Sequence, residues 1–276
     1  MCYCFQVNKL TSKSVLSFIV LVLLCIPIAT SSLLDLEQKR ANELLLEQER
    51  IQKEAELKIY LMGKFEPTQR EDFALVPSGY AAVENQMYLR KEALGAFLNM
   101  AAAASRDGID LRVASAARNF IYQKDIWEKK WTGVTYVDGK NLTKSIPDGL
   151  ERFEKILEYS AAPGTSRHHW GTDIDINNAN VEYFNTKNGE KIYEWLSNNA
   201  WVFGFCQPYN IKGNGRITGY NEEKWHWSYL PLAGKFTEEY KNLIKNEDIS
   251  GFLGAEYGPG MNLISDYVLG INPECL

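Results

Sequence analysis

All three histidines of this 276-residue chain fall in two short segments, Ser166-Arg167-His168-His169-Trp170-Gly171-Thr172-Asp173-Ile174-Asp175 and Glu223-Lys224-Trp225-His226. If the two serve one chemistry, the fold has to bring distant stretches of chain to the same place. A catalytic zinc takes three nitrogen or oxygen ligands from the protein and leaves a fourth position for water. His168, Asp175 and His226 would supply that set.

The local pattern around them is compatible with a sheet. Gly171 permits a tight turn, after which residues 172–176 read as a strand with Asp173 and Asp175 on one face and Ile174 and Ile176 on the other. Trp225-His226-Trp227 alternates in the same way, so the imidazole faces the site while the indoles pack in the core. Upstream, residues 88–104 read as a helix that stops at Asp107-Gly108, and 111–115 as a strand. That strand delivers Arg118 just before a helix over 119–131, whose Phe120, Trp127 and Trp131 share a face. Asp138-Gly139 marks a hairpin-like turn, 151–159 is helical, and Ala162-Pro163-Gly164-Thr165 opens the loop that carries His168. Further on come a helix over 189–199, a buried strand over 201–205 and a mobile Gly-rich loop over 210–220. There is no internal repeat.

A net charge of −5 and a pI near 5.4, with no cluster of Lys or Arg, leave no electrostatic footprint for nucleic acid. Residues 1–31 differ from the rest: Lys9 and Lys13 precede an uncharged apolar run over 15–29, and Ala29-Thr30-Ser31 resembles a small-residue cleavage site. This is an export signal. It is either cleaved or kept as an anchor; the run is short beside the ~20 residues of a spanning helix, and Pro27 interrupts its end. Leu24 before Cys25 does not suit lipidation. Cys2, Cys4 and Cys25 lie within the signal, so the exported chain keeps Cys206 and Cys275, which either pair or stay as buried thiols. Residues 32–60, rich in Leu, Glu, Lys and Gln and free of Gly and Pro, read as a solvated helical spacer without a clean heptad. At ~1.5 Å per residue such a spacer reaches roughly 40 Å. Residues 61–276 form the catalytic domain.

These segments resemble the Ser-x-His-x-x-Gly-x-x-x-Asp and Glu-x-x-His motifs of the zinc D-alanyl-D-alanine carboxypeptidases of the vancomycin-resistance type. Ser115-Ala116-Ala117-Arg118-x-x-x-x-Gln123 resembles their Ser-x-x-Arg-x-x-x-x-Gln element. The resemblance covers residues 60 to about 240. It implies a compact α+β domain with the site on an antiparallel sheet. It also implies roles: His168, Asp175 and His226 as zinc ligands, Glu223 as general base and acid, and Arg118 as a clamp on transition state or substrate. Gln123 would help to fix Arg118, and Ser115 and Ser166 either contact substrate or cap turns. Many relatives carry Ala where this chain has Asp173, two residues before the ligand aspartate; here the extra carboxylate either orients His168 through its second ring nitrogen or faces solvent. His169 matches no ligand position. Tyr220 is a further candidate for substrate contact, whereas Trp170, Trp225 and Trp227 read as walls and core.

The residue set also makes chemical sense by itself. Zinc brings the pKa of a bound water toward ~7 and polarises a carbonyl. Glu223, three residues before a ligand, would take the proton and return it to the leaving amine, and a fixed guanidinium would stabilise the charge that develops on the carbonyl oxygen. With export, this points to peptidoglycan stem peptides in the periplasm or cell envelope and to release of a C-terminal D-alanine. The membrane enters only through an uncleaved N-terminal segment. L,D-carboxypeptidase and endopeptidase action stay open, as does a zinc-stabilised binding module, since the hedgehog signalling domain shares this site architecture.

Overall fold

The computed structural model describes residues 12–213 and 215–276, with side chains from residue 34 on. The export-signal reading of residues 1–31 falls outside the described side chains, and residues 1–11 lie outside the description altogether. By its contacts the chain divides into two units, Met1–Ala55 and Glu56–Leu276. The first contains most of one long helix, α1 (Ser12–Leu61). Its side chains from residue 34 to 52 are exposed, and Arg50 bridges Glu47 and Glu54 one turn away on either side. The helix ends in the second unit at Gly63, whose φ of 70° lets the amides of Gly63 and Lys64 turn back onto the carbonyls of Tyr60 and Ile59.

The second unit combines helices with antiparallel strands. A short ribbon pairs β1 (Phe73–Leu75) with β2 (Tyr88–Arg90), and α2 (Lys91–Arg106) follows directly. The helix expected over 88–104 therefore starts later, because Tyr88, Leu89 and Arg90 hydrogen-bond as a strand and the Arg90 amide reaches the Gly171 carbonyl. Next come β3 (Val113–Ser115), α3 (Phe120–Trp131), α4 (Leu142–Ser145) and α5 (Gly149–Leu157). Asn119, Asn141 and Asp148 cap these three helices through side-chain oxygens, which satisfy amides that have no partner inside the helix. Then follow β4 (Asp173–Ile176), α6 (Val181–Phe184), α7 (Lys187–Asn199), β5 (Phe205–Cys206), β6 (His226–Tyr229) and α8 (Leu230–Leu243).

The main sheet runs β3-β4-β6-β5 with every pair antiparallel. Ile174 and Ile176, with Trp225 and Trp227, close one face against Phe97 and Met100 of α2 and Leu196 of α7. A second core gathers Trp127 of α3, Phe153 of α5, Trp170 and Tyr240 of α8, and includes Cys275. Cys206 and Cys275 are joined across a separation of 69 residues, with Cα atoms 5.7 Å apart.

A second expectation from the sequence needs correction. Residues 201–205 do not form a buried strand: Ala200–Phe203 winds as a 3-10 helix with Trp201 77% and Val202 68% exposed, and Gly204 turns the chain into the two-residue edge strand β5. In the loop expected over 210–220, the buried guanidinium of Arg216 donates to the carbonyls of Thr218 and Tyr220 and to the Asn210 side chain.

Gly171 joins the turn at His168 to β4. Its φ is 71°, and a Cβ there would sit 2.3 Å from the Phe73 ring. Gly171→Ala should therefore lower stability by roughly 2–4 kcal/mol, the sum of a left-handed backbone penalty and local overpacking. Urea unfolding of the two proteins measures the difference.

Candidate active site

Strand pairing builds the site. Asp175 of β4 stands opposite His226 of β6, and Asp173 opposite Ser228, so all four side chains share the face away from Ile174 and Trp227. His168 arrives from the 3-10 turn Arg167–Trp170. Its Nε2 lies 3.3 Å from Asp175 Oδ1, which is also 3.3 Å from His226 Nδ1. One donor atom from each of the three residues lies within 4.8 Å of the others, and all three residues are buried.

Both imidazoles have their protonation sites fixed from behind. His168 Nδ1 lies 2.8 Å from the Ala116 carbonyl and His226 Nε2 lies 2.9 Å from Asp173 Oδ2. Carbonyl and carboxylate oxygens only accept, so these nitrogens donate, and the opposite nitrogens, His168 Nε2 and His226 Nδ1, are the ones whose lone pairs a metal ion could take, on His226 by displacing the proton that Asp175 and Glu223 favour there. Among the described residues, buried His168 Nε2 and Asp175 Oδ1 have no hydrogen-bond partner. Two such lone pairs and an unsatisfied carboxylate oxygen, converging in a buried space, are what a metal ion requires of its ligands. The electrostatics agree. His168 is pushed down by burial and by Arg118. His226 resists burial and is raised well above its ordinary range by Asp173, Asp175 and Glu223, a negative surrounding that favours a cation at this spot.

Asp173 is wholly buried and fully engaged. It accepts from His226, from Arg167 Nε at 3.1 Å, from Ser228 Oγ at 2.8 Å and from Thr172 Oγ1 at 2.7 Å. Burial alone would raise its pKa, but Arg167 and His226 hold it well below the usual carboxylate range. The residue it orients is His226, not His168 as the sequence suggested. The register sets Asp173 one pair along from His226 on the same face, while the His168 ring meets Asp175 and takes its support from Ala116. Arg167, which sequence reasoning passed over, is 1% exposed; its guanidinium also donates to Thr237 and Ser228 and lies 4.6 Å from the Trp170 ring. An acid on a core-facing strand was the one signal that a buried cation had to lie near.

His169 stays apart from the donor set. Its Nδ1 donates to the Arg118 carbonyl and its Nε2 accepts from the Gly164 amide, and burial pushes it down to about 3. It is thus a neutral brace between two loops.

Glu223 is buried with Oε2 3.2 Å from His226 Nδ1, and burial raises its carboxyl despite the opposing pull of His226. Its backbone is pinned from both sides, the amide to Tyr209 and the carbonyl by Gln207. Arg118 is anchored by its amide to the His168 carbonyl, and its buried Nε has no partner among the described residues. Gln123 does not fix Arg118: its amide nitrogen donates to the Ala161 carbonyl 2.7 Å away, which holds that loop at the site. Arg118, Gln123, Ser166, Tyr220, Glu223 and His226 are among the walls of a cavity of about 40 Å³. Ser115 sits opposite Asp175 in the ladder and outside that lining. Sequence reasoning also missed Tyr209, whose ring centroid lies 4.7 Å from that of His226. A wider cleft of about 560 Å³ shares Arg118, Tyr159, Ser160 and Glu223 with the cavity.

An antiparallel sheet carrying Asp175 and His226, with His168 on the turn that precedes it and a buried Glu223 beside them, groups a donor set that could hold a metal ion. The chain belongs to the VanY family of D-alanyl-D-alanine carboxypeptidases, whose family model matches residues 86–232. It is 30% identical over 151 residues to a D-alanyl-D-alanine carboxypeptidase of Enterococcus faecalis, a match that covers 52% of each chain. It is 28% identical over 179 residues to the putative carboxypeptidase YodJ of Bacillus subtilis, covering 62% of this chain and 56% of that one. The chain thus spans about half the length of these curated relatives. Among solved structures, the L,D-carboxypeptidase LdcB is 25% identical, with a TM-score of 0.45 over 71% of this chain and 79% of that one.

If the Arg167 guanidinium supports the site from beneath, Arg167→Met should strand the Asp173 carboxylate in the interior at a cost of about 3–5 kcal/mol. Thermal or urea unfolding reads this directly; a loss below 1 kcal/mol on the same scale would mean that Ser228 and Thr172 suffice for Asp173.

Proposed function

We propose that the protein is a zinc-dependent peptidase that removes a C-terminal D-alanine from peptidoglycan stem peptides at the cell envelope. The observation that carries this reading is the convergence of two imidazole lone pairs and the Asp175 carboxylate beside a buried Glu223 and an unpaired Arg118 nitrogen. His168, Asp175 and His226 would hold the ion. When bound, zinc supplies a water of lowered pKa and polarises the scissile carbonyl.

The chain's own residues account for the rest. Glu223, its proton affinity raised by burial, takes a proton at Oε2 and returns it to the leaving amine. The pins on its amide and carbonyl fix the backbone from which that carboxylate reaches the site. Arg118 lines the same cavity, and its guanidinium meets the negative charge that develops on the carbonyl oxygen, an interaction stronger in the transition state than in the ground state. A non-catalytic binding module would need neither a buried proton acceptor nor a guanidinium in the same cavity beside the donors. The family's activity supports the D,D-carboxypeptidase reading, with L,D-carboxypeptidase or endopeptidase action as the alternatives that product analysis separates.

The ligand assignment predicts about one zinc per chain, lost in His226→Ala and retained in His169→Ala, as expected for a three-residue set that excludes His169. Elemental analysis of the purified variants decides; full zinc in His226→Ala would overturn the set. For the reaction, mass spectrometry of synthetic penta- and tetrapeptide stems incubated with the protein should show loss of one alanine from the pentapeptide. Glu223→Gln should keep fold and zinc but turn over slower by a factor of about 10² or more. Turnover at the wild-type rate would remove Glu223 from the mechanism.

A further inference from the structure

Lys130 and Ser160 stand beside the site with no part in the chemistry above. Lys130 lies in the last turn of α3, and its Nζ donates to the Ser160 hydroxyl. Both line the wide cleft together with Arg118 and Glu223, and Ser160 also lines the inner cavity with His168 and His226. Ser160 is 6% exposed. Among the described residues no carboxylate lies within ion-pair distance of the Lys130 ammonium: Asp138, which lines the same cleft, is bound to Lys155 at 2.6 Å. A cation drawn out of water without a counter-ion is costly and is relieved when an anion arrives. Burial and the charge of Arg118 lower the proton affinity of this ammonium despite the opposing attraction of Glu223 and Asp138, and an incoming carboxylate would add to that attraction.

We infer that Lys130 and Ser160 form the subsite for the substrate's terminal carboxylate, which leaves Arg118 to the scissile carbonyl. The inference rests on the peptidase reading and deepens it. In a peptide ending in a free acid, the carboxylate lies about one residue, roughly 3.5 Å, beyond the scissile carbonyl. The planar fork of one guanidinium meets one planar acceptor at a time, so a second cation is needed to read the carboxylate while the first follows the reacting oxygen. Lys130 is that second cation. Ser160 uses its lone pair to accept from Lys130, so its own O–H is free to donate, and the ammonium keeps two further N–H groups for the incoming oxygens.

The test compares the full-length, zinc-loaded protein with Lys130→Met, Lys130→Arg and Ser160→Ala on matched pentapeptides ending in a free acid or an amide. The quantity read is the ratio of kcat/KM for acid over amide. In Lys130→Met that ratio should fall by about 10- to 100-fold, mostly through KM, as expected for loss of a charge-assisted hydrogen bond. Lys130→Arg should restore part of it, and Ser160→Ala should lower it by less than Lys130→Met does. A ratio equal to wild type in Lys130→Met overturns the inference, as does an equal loss on both substrates, which would mark a structural role. Calorimetric binding of the same two peptides reads the subsite without turnover. If the wild type cleaves neither peptide, the peptidase reading fails by itself; binding selectivity that collapses in Lys130→Met still upholds the subsite, and selectivity that persists overturns it.

Discussion

The site depends on one buried ion pair. A strand of four residues carrying two aspartates cannot lie in the middle of a sheet unless their charge is answered, and Arg167 answers the one nearer the interior. Both partners are withdrawn from water, so the pair holds only because every remaining donor and acceptor is used: Thr237, Ser228, Thr172 and the Trp170 face complete it. Asp173 is thereby kept ionised, and an ionised Asp173 fixes the proton of His226 on Nε2. That chain of contacts leaves Nδ1 as the nitrogen that could turn to a metal ion. His168 reaches the same state by a simpler route, a backbone carbonyl, and so needs no charged support.

The catalytic face was legible because alternation is hard to misread. Asp173-Ile174-Asp175-Ile176 and Trp225-His226-Trp227 admit one arrangement in which apolar residues go inward, and the antiparallel register then sets Asp175 against His226. Other features were not legible for equally physical reasons. Arg167 has the same neighbours in sequence whether it points to solvent or to the core. The apolar run around Trp201 suggested burial, yet the sheet edge there needs only two residues and Gly204 ends the turn before them. Lys130 sits among charged residues at the end of a helix and looks like part of a wet face; only the tertiary packing of Ser160 against it shows otherwise.

The surroundings of the donors divide the labour of binding and reaction. Loops that carry Arg118 and Gly164 are braced by a neutral His169, and the loop at Ala161 is tied down by Gln123. These are backbone contacts, which hold position without adding charge near the reacting atoms. Charge is kept for groups that face the cavity and cleft: Glu223, Arg118 and Lys130. The result is a rigid floor, set by the sheet, beneath a cleft whose cations are arranged for an anionic peptide end.

The most direct test of this account is the zinc K-edge X-ray absorption spectrum of the purified protein. Two imidazoles and a carboxylate predict a first shell of nitrogen and oxygen alone, with the multiple-scattering signature of two histidine rings. A spectrum with one or no imidazole, or a protein that takes up no zinc, would contradict it.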